Sequence, residues 1–214
     1  MSSPLYSHAI KKVLSPAERR VFNRLTTPQK IQDFLDALPI NFGETLFSPR
    51  RVLREKKAHC FEAALLAAAA FAYHGRPPLL LDFQTIENDE DHVLALFKEH
   101  GLWGAISKTN HSIIRFRDPI YRSVRELAMS YFHEYLMWDG RKSLRSFSTC
   151  PFDMRRFKPA EWVIAEEDLT EIEAALDWAP HSPAIPKQAL KSLRRASPIE
   201  LRAMKLTEWK KKKR

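Results

Sequence analysis

The hydrophobic pattern predicts short helices in the first forty residues. Ser15-Pro16-Ala17-Glu18 has the form of a capping box, with serine as N-cap, proline at the first helical position and glutamate at the third. Thr27-Pro28 opens a second helix in the same way. Its apolar residues recur at helical spacing at Ile31, Phe34, Leu35 and Leu38.

The segment from Cys60 to Tyr73 is the strongest helix signal in the chain. It is rich in alanine and leucine, which are strong helix formers. Because its side chains are small, we expect close packing on nearly every side. Gly75 follows as the C-terminal stop.

Apolar runs after this helix predict an antiparallel sheet. Leu79–Phe83 has the pattern of a buried strand. His92–Phe97 and Leu102–Ile106 flank His100-Gly101, which suits a tight hairpin turn. A third strand is expected at Ser112–Phe116, ended by Asp118-Pro119. The pattern as a whole predicts an α+β fold with N-terminal helices.

Charge separates the C-terminal end from the rest of the 214 residues. Residues 187–214 contain eleven Lys or Arg and two Glu, a net charge of +9 that equals the net charge of the whole chain. Residues 1–186 are therefore close to neutral. Pro180, Pro183 and Pro186 indicate a linker, so we expect an N-terminal segment at 1–14, one domain at 15–178, and a linker with a basic C-terminal tail at 179–214. Such a tail suits contact with nucleic acid or an acidic protein.

Composition favours a cytoplasmic protein. No apolar run reaches the ~18 residues needed to cross a bilayer, so no membrane partner is expected. The first residues show no apolar core of a secretory signal. The two cysteines, Cys60 and Cys150, do not form a disulfide framework and are expected to be reduced thiols. No Cys/His set has zinc-ligand spacing and no dinucleotide or phosphate-loop motif occurs, so neither a metal nor a cofactor is expected.

The chemistry centres on Cys60, which lies where the long helix begins. The unpaired N–H groups and positive dipole end of a helix favour a thiolate there. The same groups can stabilise an oxyanion once the thiolate attacks a carbonyl. His92, at the start of a strand after an acidic loop, is the best-placed base. A small buried cysteine without function is the alternative for Cys60.

Three motifs together resemble the transglutaminase-like superfamily, which is related to papain-like peptidases and arylamine N-acetyltransferases. They are the cysteine helix Ala58–Leu66, the link and strand Gly75–Leu81, and the histidine hairpin Asp91–Val93 with Gly101–Trp103. The resemblance implies a papain-like core whose Cys-bearing central helix packs on an antiparallel sheet. It also implies acyl transfer or amide hydrolysis by the thiol, on a peptide, a protein, or a small amide or ester.

The group that orients His92 is open between two candidates. The family usually has an aspartate on the strand after the histidine, often followed by proline, as in Asp118-Pro119. A two-residue turn at His100-Gly101 instead places His92 opposite Thr109, and Asp118 lies roughly 20 Å further along the third strand. Asn110 is then closer, as are Ser107 and Thr109, and asparagine orients the histidine in papain-like sites. We therefore prefer Asn110 and keep Asp118 as the alternative.

Lack of a clear acid also leaves open a non-catalytic interaction module that retains the fold.

Overall fold

The computed structural model describes residues 3–210 and has the α+β architecture that the sequence predicts. The helices in this range are α1 Ser3–Val13, α2 Pro16–Phe22, α3 Pro28–Asp36, α4 Pro49–Glu55, α5 Cys60–Tyr73, α6 Val124–Ser130, α7 Pro159–Trp162, α8 Thr170–Asp177 and α9 Pro198–Met204. The strands are β1 Leu79–Gln84, β2 His92–Glu99, β3 Leu102–Ile106, β4 Arg117–Tyr121, β5 Ser146–Ser148, β6 Phe152–Asp153 and β7 His181–Pro183. Short 3-10 helices occupy Met154–Arg156 and Lys187–Ser192. No helix in this range is both long and apolar enough to cross a bilayer.

Local capping starts the N-terminal helices where the sequence predicts. The Ser15 hydroxyl accepts the N–H of Glu18, and the Glu18 carboxylate accepts the N–H of Ser15 in return. Thr27 caps α3 by accepting the N–H of Lys30. These bonds satisfy N–H groups that a helix leaves unpaired at its start.

Helix α5 is the central element of the core. Every residue from Phe61 to Tyr73 is buried, which confirms the close packing expected from its small side chains. It packs against β2 on one side and against α1 and α4 on others. The Ser7 hydroxyl on α1 donates to the carbonyl of Tyr73, and Ile10 is fully buried. The segment before residue 15 is therefore part of the folded core.

The strands form one antiparallel sheet in the order β4-β3-β2-β1-β5-β7, with β6 also pairing with β1. The β2–β3 register pairs Ala95 with Ile106 and Glu99 with Leu102, as a two-residue turn requires. His100 and Gly101 have φ values of 50° and 82°, the left-handed conformation of a type I′ turn. The predicted hairpin is confirmed.

Both faces of the sheet are covered by apolar side chains. On one face, Leu80, Ala95 and Phe97 pack into the cluster that contains α5. On the other, Phe83 and Leu96 pack with α6 and the aromatic side chains that follow it. Side chains alternate between the two faces along a strand, so His92 lies on the same face of β2 as Leu94 and Leu96, opposite to Val93.

The third strand is not at Ser112–Phe116, as the sequence suggested, but at β4. Ser112 instead donates its hydroxyl to the carbonyl of Ala203 and its N–H to the carbonyl of Leu206. Pro119 lies within β4 and does not end it. This is possible because β4 is an edge strand, where a missing N–H costs no ladder hydrogen bond.

Residues of the predicted linker and basic C-terminal tail, from residue 179 onward, pack against the rest of the described structure. Strand β7 extends the sheet beside β5, and His181 Nε2 lies 3.0 Å from the buried Asp82 carboxylate of β1. Beyond α9, Thr207 pairs with His111 in an antiparallel bridge. The end of the described chain is therefore attached to the segment between β3 and β4.

Candidate functional site

Cys60 is the first residue of α5 and is half-buried. The N–H groups of the first helical turn have no partner within a helix, and the dipole of a long helix is positive at this end. The thiol therefore lies beside donors that can accept negative charge on sulfur, or on the oxygen of an attacked carbonyl.

The pKa of the Cys60 thiol is held well below its usual value. Burial alone would raise this pKa, but the positive charge of His92 and hydrogen bonds from His59 and His92 outweigh that effect. The two histidines that lower this pKa come from different elements, His92 from the start of β2 and His59 from the N-cap position of α5. The thiolate is the reactive form of cysteine, so this environment is suited to nucleophilic chemistry.

Ser107 fixes the tautomer of His92. His92 Nε2 lies 2.9 Å from the Ser107 hydroxyl, and that hydroxyl donates its single proton to the carbonyl of Ile114. Ser107 can therefore only accept from His92, which places a proton on Nε2. In the neutral ring, Nδ1 is then the unprotonated nitrogen that is available to act as a base.

The position of Ser107 is itself fixed by α3 and by the loop before β4. The buried Gln32 side chain accepts the N–H of Ser107 and donates to its carbonyl, at 3.1 and 2.8 Å. Ile114 has φ 58°, a conformation that is costly for a β-branched residue. Its N–H donates to Glu134, which also binds the Arg117 guanidinium of β4. These contacts hold the Ile114 carbonyl in position to accept the hydrogen bond from the Ser107 hydroxyl.

His59 belongs to a polar cluster built around the fully buried Glu62. The Glu62 carboxylate accepts from the Asn41 amide, the Thr45 hydroxyl, and the N–H groups of Phe47 and His59. His59 Nε2 lies against the carbonyl of Thr45 and 3.5 Å from Glu62 Oε1. The helix thus carries a carboxylate two residues after its cysteine.

This cluster favours a protonated His59. Burial opposes the charged ring, but its hydrogen bond to Cys60 and the negative charges of Cys60 and Glu62 raise the pKa of His59 to about 9. The two histidines therefore differ in their partners: His59 lies beside the Glu62 carboxylate, whereas His92 is hydrogen-bonded to the neutral hydroxyl of Ser107. His59 is not among the site residues that the sequence predicts; the carboxylate of Glu62, three residues after it, is the signal that could have found it.

Neither Asn110, which the sequence favours as the orienting group, nor the alternative Asp118 is a hydrogen-bond partner of His92. The Asn110 side chain bonds with the backbone of Trp209 in both directions, at 3.0 and 2.8 Å. Asp118 is exposed on β4. The hairpin register explains why Asp118 is remote, and the short β3, which ends at Ile106, leaves Asn110 in the loop that contacts the C-terminal segment. Of the two nearer residues considered from sequence, Ser107 is the one that binds the ring.

Tyr135 carries a buried hydroxyl near the same site. Within the part of the chain that the structure describes, its oxygen has no hydrogen-bond partner. Burial raises the pKa of Tyr135 well above its usual value, and the negative charge of Cys60 raises it further. Its ring packs edge-on against Phe83, the residue paired with His92 across the sheet. It is a donor available to a group bound beside Cys60.

Comparisons with known proteins do not assign this site. No protein-family model matches the chain, and no curated protein matches its sequence significantly. Among residues 3–210, no group of three or more His, Cys, Asp or Glu side chains is arranged to hold a metal ion.

Proposed function

We propose that this chain is a transglutaminase-like enzyme with a papain-like core, which acts on amides or esters through a Cys60 acyl-enzyme. The observation that carries the proposal is a pair of linked hydrogen bonds. Nε2–H of His92 donates to the Ser107 hydroxyl, and that hydroxyl donates to the carbonyl of Ile114. It leaves Nδ1 free to act as the base for the Cys60 thiol, whose pKa is lowered by His92 and His59. A cysteine that serves only as core packing would need neither feature.

In the first half-reaction, the Cys60 thiol proton passes to Nδ1 of His92 and the sulfur attacks the substrate carbonyl carbon. The carbonyl electron pair moves to oxygen, and the oxyanion is stabilised by N–H groups at the start of α5. When the carbonyl re-forms, the C–N or C–O bond breaks. The leaving amine or alkoxide takes the proton from Nδ1, and the acyl group stays on sulfur as a thioester.

In the second half-reaction, water or an amine attacks the thioester. Nδ1 of His92 takes a proton from the acceptor, and Cys60 leaves as the thiolate when the second tetrahedral intermediate collapses, which restores the thiolate beside the protonated His92. His59 keeps its proton throughout and stabilises the thiolate by its charge. Water as acceptor gives a hydrolase and an amine gives a transferase; the acyl donor is a peptide, a protein, or a small amide or ester.

A non-catalytic interaction module with the same fold is the second candidate, and one observation favours it. His92 has a serine where a carboxylate or amide usually orients the ring, so the imidazolium formed during reaction has no negative partner behind it. A degenerate site can keep its cysteine and histidine as packing. In that role the basic C-terminal residues would contact nucleic acid or an acidic protein.

Trapping of the acyl-enzyme separates the two candidates. The protein is incubated with p-nitrophenyl acetate, and peptide mass spectrometry locates the acetyl group on Cys60 or on the exposed Cys150. We expect early acetylation of Cys60, release of the acetyl group by added amine, and loss of the reaction in His92→Ala. Equal acetylation of both cysteines, or an unchanged rate in His92→Ala, would support the non-catalytic module.

A further inference from the structure

A second concave site lies on the C-terminal side of the molecule and is lined mainly by positive charge. It is a cavity of about 140 Å³ between the segment before β5 and the residues around the end of the second 3-10 helix. Five basic side chains line it: Arg141, Lys142, Arg145, Arg194 and Arg195. Leu190 and Leu193 form an apolar part of its wall.

The positive charge in this cavity exceeds the negative charge nearby. Arg141 binds the Asp139 carboxylate at 2.6 Å, and Arg195 shares the same carboxylate at 3.7 Å. The Glu200 carboxylate, which lies near Lys142 and Arg194, accepts the N–H of Ser197 at the start of α9. Asp139 and Glu200 together carry two negative charges against the five positive charges that line the cavity.

Arg145 and Lys142 are the most buried of these five basic residues. Arg145 is half-buried, and its Nη1 donates to the carbonyls of Lys142 and Leu144 rather than to an acid. Burial lowers the pKa of the Arg145 guanidinium, and the charge of Arg141 lowers it further. Lys142 is only 8% exposed. Partial burial of like charges is unfavourable unless a counter-charge is present.

The fold brings these charges together from two distant parts of the chain. The N–H of Ala196 donates to the carbonyl of Gly140 at 2.8 Å, and Arg195 donates to the carbonyl of Asp139. Gly140 has φ 85°, and a side chain there would press against the backbone of Ala196. A tight backbone contact thus holds Arg194 and Arg195 opposite Arg141 and Arg145.

We propose that this cavity binds a small anion that bears one or more phosphate groups. Guanidinium groups match phosphate oxygens in paired hydrogen bonds, and converging cations in a concave, partly apolar site attract a multiply charged anion. The volume suits one or two phosphate groups, and Leu190 and Leu193 offer contact to an apolar part of the ligand. The proposal does not depend on the chemistry of Cys60.

Isothermal titration calorimetry of the full chain with pyrophosphate, at about 0.15 M salt, tests the site. We expect saturable binding that weakens at least tenfold in Arg194→Glu, an exposed position whose substitution leaves the core intact. Arg145→Met should weaken binding by a similar factor, with folding verified by circular dichroism. The matched control is Arg20→Glu, which makes the same charge change at an exposed position on α2 and should bind as the wild type does.

Parallel titrations with inorganic phosphate and ATP distinguish a free phosphate from a phosphate carried on a larger molecule. Tighter binding of ATP than of pyrophosphate supports a ligand with an apolar part, and equal binding supports the phosphate group alone. Equal weakening in Arg20→Glu and Arg194→Glu, or no binding of any probe, would overturn the proposal. So would binding of a single-stranded oligonucleotide that pyrophosphate does not displace, because the charges would then act as an extended surface.

Discussion

At the scale of single residues, the Ser107 hydroxyl decides which nitrogen of His92 can act as a base. Ser107→Ala removes the acceptor from Nε2, so the ring is free to adopt the other tautomer. We expect the rate of Cys60 acetylation to fall roughly ten- to a hundredfold, which is only part of the roughly 10²–10⁴-fold that general base catalysis contributes as a whole. Stopped-flow detection of p-nitrophenol measures this rate.

Ser107→Thr is the control, since it keeps a hydroxyl at the same position. It should retain more activity than Ser107→Ala when both variants unfold at similar temperatures. If the alanine and wild-type proteins acetylate equally fast, the Ser107 contact plays no part in orienting His92.

His59 and Glu62 give a second prediction at this scale. His59→Gln removes the charged ring beside the thiolate, and Glu62→Gln removes the carboxylate charge that helps to keep this ring protonated. Because an imidazolium neighbour lowers a thiol pKa, we expect the midpoint of Cys60 alkylation to move upward by about 1–2 pH units. Since the pKa of His59 is about 9, the wild-type ring stays charged through neutral pH, and the difference between proteins should be largest below pH 8.

His74→Gln is the matched control, because His74 lies at the opposite end of α5, where its ring contacts the carbonyl of Phe22. Its alkylation midpoint should equal that of the wild type. An equal shift in His74→Gln and His59→Gln would mean that the change reflects the stability of the helix and not local charge.

Sequence reasoning could select Cys60 and His92 and place Ser107 near the ring, but it could not choose Ser107 as the partner of His92. The first two are marked by position, at a helix start and a strand start. Ser107 binds His92 only because its proton goes to the carbonyl of Ile114, and that carbonyl is in place only because Ile114 adopts a left-handed conformation. No local pattern predicts such a conformation for a β-branched residue.

At the scale of elements, Gly104 couples the sheet to the site. A Cβ at this position would overlap the Phe97 ring and lie 2.8 Å from the carbonyl oxygen of Arg117 on β4. We expect Gly104→Ala to lower the free energy of unfolding by about 1–3 kcal/mol, the usual cost of overpacking. Because Arg117 binds Glu134 and Glu134 holds Ile114, Cys60 acetylation should also slow.

Urea denaturation followed by fluorescence measures the change in stability. Gly101→Asn is the control: nothing lies within 4 Å of its Cβ, and asparagine tolerates the φ of 82° found there. Gly101→Asn should stay close to wild-type stability. If Gly104→Ala is equally stable, β4 has room to move and the packing at Phe97 is looser than described.

The elements also show where the sequence pattern succeeds. Helix α5 and the β2–β3 hairpin were predicted because each has an uninterrupted local signal, in the alanine-rich run and in the His100-Gly101 turn. The third strand was misplaced because β4 is a half-exposed edge strand that contains Pro119. The apolar residues at Ile113, Ile114 and Phe116 gave a stronger strand signal but lie in a loop that contacts the C-terminal segment.

At the scale of the whole molecule, the C-terminal segment supports the site from a distance. Residues 203–209 bond with Asn110, His111, Ser112 and Arg115, which lie in the same loop as Ile114. The charge pattern of the sequence predicts a linker and a basic tail, but it does not reveal these backbone contacts. Deletion of residues 198–214 should therefore loosen this loop and slow Cys60 acetylation.

The deletion keeps Arg194, Arg195 and the Ala196–Gly140 contact, so pyrophosphate binding should persist and serves as the control for folding. Acetylation of Cys60 at the wild-type rate in the truncated protein would show that the loop holds Ser107 and Ile114 without the C-terminal segment.

The central claim, that Cys60 is an activated nucleophile paired with His92, is tested most directly by the pH dependence of its alkylation. Iodoacetamide labelling of Cys60 and of the exposed Cys150 is followed in the same sample by mass spectrometry from pH 5 to 10, in wild type and in His92→Ala. Cys60 should react well below the ~8.5 midpoint of an unperturbed thiol. Its midpoint should rise in His92→Ala while the profile of Cys150 is unchanged. A Cys60 midpoint at or above ~8.5 in the wild type, or one that His92→Ala does not move, would contradict the account.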